Sequence, residues 1–173
     1  MGYTTRFNGE FNLEFNDETK REDVITLVNG LAGTRRMSRD MTKIKDILPK
    51  EPEAYGIEGE FFFPSKELGG FMGQNHDESV INSNRTPSTQ PSLWLQWIIE
   101  DNEVGSYVLK WDEGEKFYEY VEWLEYLIES IFIPADVSVD GEVDWFGEDT
   151  DDNGTIFVKN NIVSTRTKSL QYD

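Results

Sequence analysis

The sequence has no cysteine, a single histidine, and no apolar run near the roughly 18 residues a membrane span requires. Without thiols there are no disulfide frameworks, thiolate zinc sites or cysteine nucleophiles. With His76 alone there is no multi-histidine metal centre. The opening Gly2-Tyr3-Thr4-Thr5-Arg6 lacks the apolar core of a signal peptide. These absences lead us to expect a soluble, cytoplasmic protein with no membrane partner. Positive charge is also scarce, with 16 basic residues against 34 acidic ones and a formal charge of −18.

What is abundant is aromatic: 11 Phe, 7 Tyr and 5 Trp in 173 residues, enough large rings to build a core despite an apolar fraction of 37%. The length fits one domain spanning 1–173. The charge is polarised along the chain. Residues 87–165 hold 18 acids and 3 bases, whereas eight of the 16 bases lie between Lys20 and Lys50. A field of that sign repels nucleic acid, so direct nucleic-acid binding is not expected.

Periodicity locates the elements. Phe7, Gly9, Phe11, Leu13 and Phe15 alternate with polar residues, which predicts a strand. Asn16 reads as the cap of a helix that buries Val24, Leu27, Val28 and Leu31. A shorter helix capped by Ser38 turns Met41, Ile44, Ile47 and Leu48 inward, and Ile57, Gly59, Phe61 and Phe63 suggest another strand. A long irregular loop covers about 65–93. Beyond it, Leu93, Leu95, Trp97 and Ile99 pair with Tyr107, Leu109 and Trp111 in an expected hairpin. Asp112-Glu113-Gly114-Glu115 resembles a capping box for a helix over 115–132. Strands are expected over 137–145 and 155–159, the latter continuing through Ile162 and Val163. The sum is an α+β fold, a mainly antiparallel sheet of about five to seven strands with two main helices on one face.

Chemistry-bearing patterns are few. Asp149-Thr150-Asp151-Asp152-Asn153-Gly154 opens like a calcium loop, which makes Asp149, Asp151 and Asn153 candidate calcium ligands. The twelfth position is Asn160 rather than glutamate and the flanks read as strands, so a tight turn at Asn153-Gly154 is the competing reading. His76 lies in the long loop with no serine in a nucleophile elbow to serve. Gly69-Gly70 and Gly73 lack the Lys-Ser/Thr of a phosphate loop. Glu119, Glu122, Glu125 and Glu129 read as a solvated helix face, with a carboxylate array completed by Asp140, Glu142 and Asp144 as the alternative.

Several stretches together resemble a family of uncharacterised bacterial and phage proteins. They are Gly2-Tyr3-Thr4-Thr5, Thr34-Arg35-Arg36-Met37, Gln90-Pro91-Ser92-Leu93-Trp94-Leu95-Gln96-Trp97, Gly114-Glu115-Lys116-Phe117-Tyr118, Val121-Glu122-Trp123-Leu124-Glu125-Tyr126-Leu127-Ile128, Gly141-Glu142-Val143-Asp144-Trp145 and Gly147-Glu148-Asp149. The resemblance implies one intact domain and a phage-encoded accessory protein, with no site residues to carry over. The expectation is a non-catalytic acidic protein that engages a protein partner, a basic host protein in particular, with imitation of nucleic acid as a narrower form. Arg35, Arg36, Arg39, His76, Arg85, Gln90 and Trp94 are the candidate contacts. The alternative is a small enzyme that binds a nucleotide or phosphorylated substrate through those arginines.

Overall fold

The alternation at the start of the chain forms a ten-residue strand, β1 (Arg6–Phe15), in a computed structural model that describes residues 2–68, 76–102 and 105–168. Gly69-Gly70, Gly73 and part of the expected 65–93 loop lie outside the described residues. In chain order there follow α1 (Arg21–Ala32), β2 (Ser38–Arg39), β3 (Val80–Asn82), β4 (Trp97–Asp101), β5 (Tyr107–Trp111), α2 (Tyr120–Leu127), β6 (Val137–Phe146), β7 (Asn153–Lys159) and β8 (Ile162–Thr167). The chain divides into two compact units, residues 1–25 with 96–173 and residues 26–95. Among the described residues no helix is long and apolar enough to cross a membrane.

The first unit holds a six-stranded sheet in the order β4-β5-β1-β6-β7-β8, every neighbouring pair antiparallel. The α+β class and the antiparallel sheet therefore stand as read. Phe11, Leu13, Trp97, Ile99, Leu109, Val139, Val143, Trp145, Ile156 and Val158 are buried on one face. Helix α2 packs there, where the Trp97 indole donates to the Tyr120 carbonyl at 2.9 Å and Trp123, Leu124 and Leu127 complete the core. Phe7 meets Trp97, Trp111, Phe117 and Tyr120 edge-on, with centroids 4.9–5.8 Å apart. Gly9 and Gly141 let β1 and β6 approach closely. A Cβ on Gly9 would stand 2.9 Å from the Glu142 carbonyl oxygen, and both glycines have positive φ, 107° and 139°.

Several boundaries differ from expectation for local reasons. The first cap is Asp17, whose carboxylate accepts from the Thr19 amide, while the Asn16 amide donates to the Asp136 carbonyl. Helix α2 begins five residues later than expected. Glu113, Lys116 and Glu119 have φ of 69°, 59° and 57°, a conformation that breaks a right-handed helix, and Asp112 accepts from Gly114 rather than capping. That strap is held by the Trp111 indole, shared between Gln96 Oε1 and the Gly114 carbonyl, and by Gln96 Nε2 on the Glu115 carbonyl at 2.7 Å. Beyond Leu127 the helix widens into a π-turn, Ile128–Phe132. The strand expected over 155–159 and on through Ile162 and Val163 is instead the β7–β8 hairpin, turned by Asn160 and Asn161 at φ 48° and 68°, the backbone of a type I′ turn. Asn153 and Gly154 instead begin β7.

The second unit replaces the expected helix and strand with 3-10 turns. Asp40, not Ser38, caps Met41–Ile47 by accepting from the Thr42 amide. Gly56 and Gly59, at φ 72° and 77°, bend 57–63 out of any strand, so Phe62 rather than Phe61 or Phe63 is buried. Met41, Ile44, Tyr55 and Phe62 form this unit's own cluster, with Leu48 and Leu68 against it. Strands β2 and β3 pair antiparallel. A Cβ on Gly30 would lie 2.5 Å from the Phe63 ring, so a larger residue there displaces that ring.

Candidate functional site

The arginines singled out from the sequence all lie in the second unit, and the two closest to its core are 2% exposed. Arg36 Nη1 donates to the Phe62 carbonyl at 2.7 Å, and Nη2 donates to those of Gly59 and Glu60 at 3.1 Å each. Its Nε donates to Gln90 Oε1 at 3.2 Å, while Gln90 Nε2 donates to the Glu60 carbonyl at 2.6 Å. The planar fork suits this task, since the 57–62 turns point three carbonyls inward and one guanidinium answers them together.

Arg39 Nη1 bonds Asp77 at 2.6 Å and Ser79 Oγ at 2.9 Å, and its guanidinium lies 4.9 Å from the centre of the Phe62 ring. Burial acts to raise the Asp77 carboxyl, but hydrogen bonds from Ser79 and Arg39 outweigh it and hold the group below its ordinary value. The 77–79 turn is closed by Asp77 accepting from the Ser79 amide and hydroxyl. The described part of the long loop is thus built structure, tied to β2 through β3 and this ion pair.

The remaining candidates are nearer the surface. Arg35 Nε donates to the Ser83 carbonyl at 3.0 Å and Nη2 to Asn84 Oδ1 at 3.2 Å. Arg85 pairs with Glu58 at 2.7 Å, and Glu58 is held below the ordinary carboxyl range chiefly by the Ser88 amide. His76 is exposed, and Trp94 is 40% exposed. Arg36, Arg39 and Gln90 are brought together by their shared contacts with the 59–62 and 77–79 turns. Glu58, Glu60 and Asp77 were not singled out from the sequence, and no spacing rule marks them.

The acidic turn, residues 147–152, joins β6 to β7. Asp152 accepts from the Tyr3 hydroxyl at 2.6 Å and the Trp145 indole at 3.0 Å. The bond to Asp152 is the main reason the Tyr3 hydroxyl titrates above its usual range. Asp149 and Asp151 are exposed, and Asn153 Nδ2 donates to the Thr150 carbonyl. Among the described residues no cluster of three or more acidic, histidine or cysteine side chains is placed to hold a metal ion.

The second face of the large sheet is acidic along β1 and β6, while its flanking strands carry Lys110 on β5, Lys159 on β7 and Arg166 on β8. On β1 it carries Asn8, Glu10, Asn12 and Glu14, and on β6 Ser138, Asp140, Glu142 and Asp144. Glu10 stands directly opposite Glu142, with Asn12 opposite Asp140 and Asn8 opposite Asp144. Like charges facing across antiparallel strands are destabilising. Asp144 is relieved by Thr155 and by Lys168 at 3.5 Å, but among the described residues Glu10, Glu14 and Glu142 form no ion pair. Helix α2 lies on the opposite face, so Glu119, Glu122, Glu125 and Glu129 do not join Asp140, Glu142 and Asp144 in one array. The same sign of field acts near α2. The Glu119 carboxyl sits above its ordinary value because Glu122 repels its charge, and burial followed by the charges of Asp152 and Glu122 pushes the Tyr120 hydroxyl to about 12.

Comparison with family models, with curated proteins and with solved structures returned no match.

Proposed function

We propose that this is a non-catalytic binding protein whose acidic sheet face engages a basic protein partner. One observation carries the reading: Glu10 and Glu142 face each other across β1 and β6 without an ion pair among the described residues, flanked by Asp140 and Asp144. A cationic partner converts that repulsion into attraction. The resemblance to bacterial and phage proteins supports a host protein as the partner. Imitation of nucleic acid is the narrower form. Carboxylates two residues apart on β6 are spaced about 6.8 Å, against one phosphate per roughly 3.4 Å of axis on each strand of a duplex. The row has half that density, which favours a basic protein that tolerates sparse charge. The enzyme alternative draws less support, because Arg36 and Arg39 direct their donors into the protein's own turns.

The test compares Glu10→Gln/Glu142→Gln with Glu51→Gln/Glu53→Gln, which removes equal charge from exposed positions of the second unit. Each is used to capture partners from bacterial lysate and to titrate poly-L-lysine at rising salt. The proposal expects the sheet-face pair to weaken binding more than the control pair, and expects all binding to fall with salt. Equal loss in both variants, or affinity unchanged from low to high salt, overturns it.

A further inference from the structure

Glu125, Ile128, Glu129, Asn161, Ile162 and Val163 line a groove of about 220 Å³ in the first unit. Small-molecule pockets run from roughly 300 to 1,000 Å³, so this groove is on the scale of a single side chain. Its lining is more polar than apolar: Ile128 is buried, and the aliphatic surface comes from half-buried Val163 and from Ile162, which is 72% exposed. Its rim carries two carboxylates one helical turn apart, a like-charged pair at a spacing that costs helix stability. Neither Glu125 nor Glu129 forms an ion pair among the described residues.

Aliphatic surface at Ile162 and Val163 beside paired carboxylates suits a side chain with an apolar stem and a cationic head. The neighbouring backbone points the same way. Strand β8 ends the sheet order and bonds only β7, which leaves the N–H and C=O groups of its outer edge unpaired by any described strand. Its side chains are exposed except at Val163. A segment laid along that edge places alternate side chains on the face of the sheet that Val163 occupies. We propose that the groove seats a lysine or arginine side chain from an extended partner segment that adds to β8. This rests on the reading of the protein as a binder of basic partners and deepens it by naming the recognition element.

The probe is the peptide acetyl-Thr-Val-Lys-Val-Thr-amide, titrated into the full ¹⁵N-labelled chain, with a twin carrying norleucine in place of lysine. The expected result is amide shifts at Glu125, Glu129 and along β8. Binding should weaken about three- to tenfold for the norleucine twin, and likewise for Glu125→Gln/Glu129→Gln, which removes two exposed charge contacts. Equal affinity of the two peptides overturns the cationic pocket. Shifts confined to the β1 and β6 rows overturn the groove and leave the broader reading standing, as does silence with the peptide while poly-L-lysine still binds. Failure of poly-L-lysine to bind overturns both. Sedimentation completes the test, because a dimer abolished by Ile162→Thr would make a second copy of the chain the occupant and overturn the proposal.

Discussion

Replacing Arg36 by lysine separates an arginine that builds the fold from one that waits for a ligand. The substitution keeps the positive charge and removes the planar fork. The guanidinium donates to the carbonyls of Gly59, Glu60 and Phe62 and to Gln90 Oε1, at 2.7–3.2 Å. An ammonium group is a point donor on a different stem and cannot meet acceptors spread around a fork. Bonds to a charged group contribute about 1.5–3 kcal/mol each, so losing two of them costs on the order of 3–6 kcal/mol, overlapping the range seen when a buried charge loses its partners. With a urea dependence of roughly 1–3 kcal/mol per molar, the midpoint should fall by about 2 M. The assay is urea unfolding alongside hydrogen exchange at the Glu60 and Phe62 amides, which bond the Ile57 and Gly59 carbonyls at 3.1 and 2.9 Å. Arg85→Ala is the control, since its ion pair is half exposed and worth at most about 1 kcal/mol. If Arg36→Lys costs less than about 1 kcal/mol and leaves those amides as protected as before, the guanidinium does not organise the turns.

Four further outcomes rest on other contacts of the fold. Asp77→Asn breaks the pair with Arg39 and should cost about 2–3 kcal/mol at neutral pH, short of a fully buried pair because Asp77 keeps 14% of its side chain exposed. Since the folded carboxyl lies below its ordinary 3.8, that stabilisation is complete above pH 3.8 and lost as pH falls through the folded value, so the difference from wild type closes in acid; a constant difference in melting temperature refutes the assignment. The Tyr120 hydroxyl, raised to about 12, should stay protonated in a 295 nm titration past its usual 10.0, with stability declining between the two values because the unfolded chain ionises first. Asn161→Ala removes both the acceptor for the Val139 amide at 2.6 Å and the donor to the Val137 carbonyl, and strains a positive φ, for about 2–3 kcal/mol by thermal melting. Asn160→Gly, at a φ glycine adopts freely, should stay within about 0.5 kcal/mol.

The elements legible in the sequence are those whose side chains alternate over many residues. β1 and β6 each run for ten residues with a buried and a wet series, and a one-residue slip would invert both faces. The 57–63 segment also alternates, but over too few positions to outvote the backbone. Gly56 and Gly59 take positive φ there, and the chain turns instead of extending. The start of α2 was illegible because Glu113, Lys116 and Glu119 enter the left-handed region without being glycine or asparagine. The bonds of Trp111 and Gln96 to the strap, the Tyr3 amide on the Tyr118 hydroxyl and the burial of Phe117 against Phe7 and Trp97 hold them there.

Charge proved hardest to read, and for a physical reason. A sequence reports how many charges a segment carries but not what faces them. Scarcity made the bases between Lys20 and Lys50 look like contacts and abundance made the acids look like solvent. Yet Arg36 and Arg39 are enclosed by carbonyls, a carboxylate and an aromatic ring, surroundings assembled from residues 38 to 54 positions away in the case of Asp77 and Gln90. Glu10 and Glu142 are likewise unremarkable in their own segments, and only the β1–β6 register sets them against each other. Alternation alone places each carboxylate on a wet face. Pairing decides which of them face another acid, and such a pair is where an external cation gains most. Under the proposed reading, binding rests on the few acids whose neighbours across the sheet or along the helix are also acidic, Glu10 with Glu142 and Glu125 with Glu129, rather than on the total of −18.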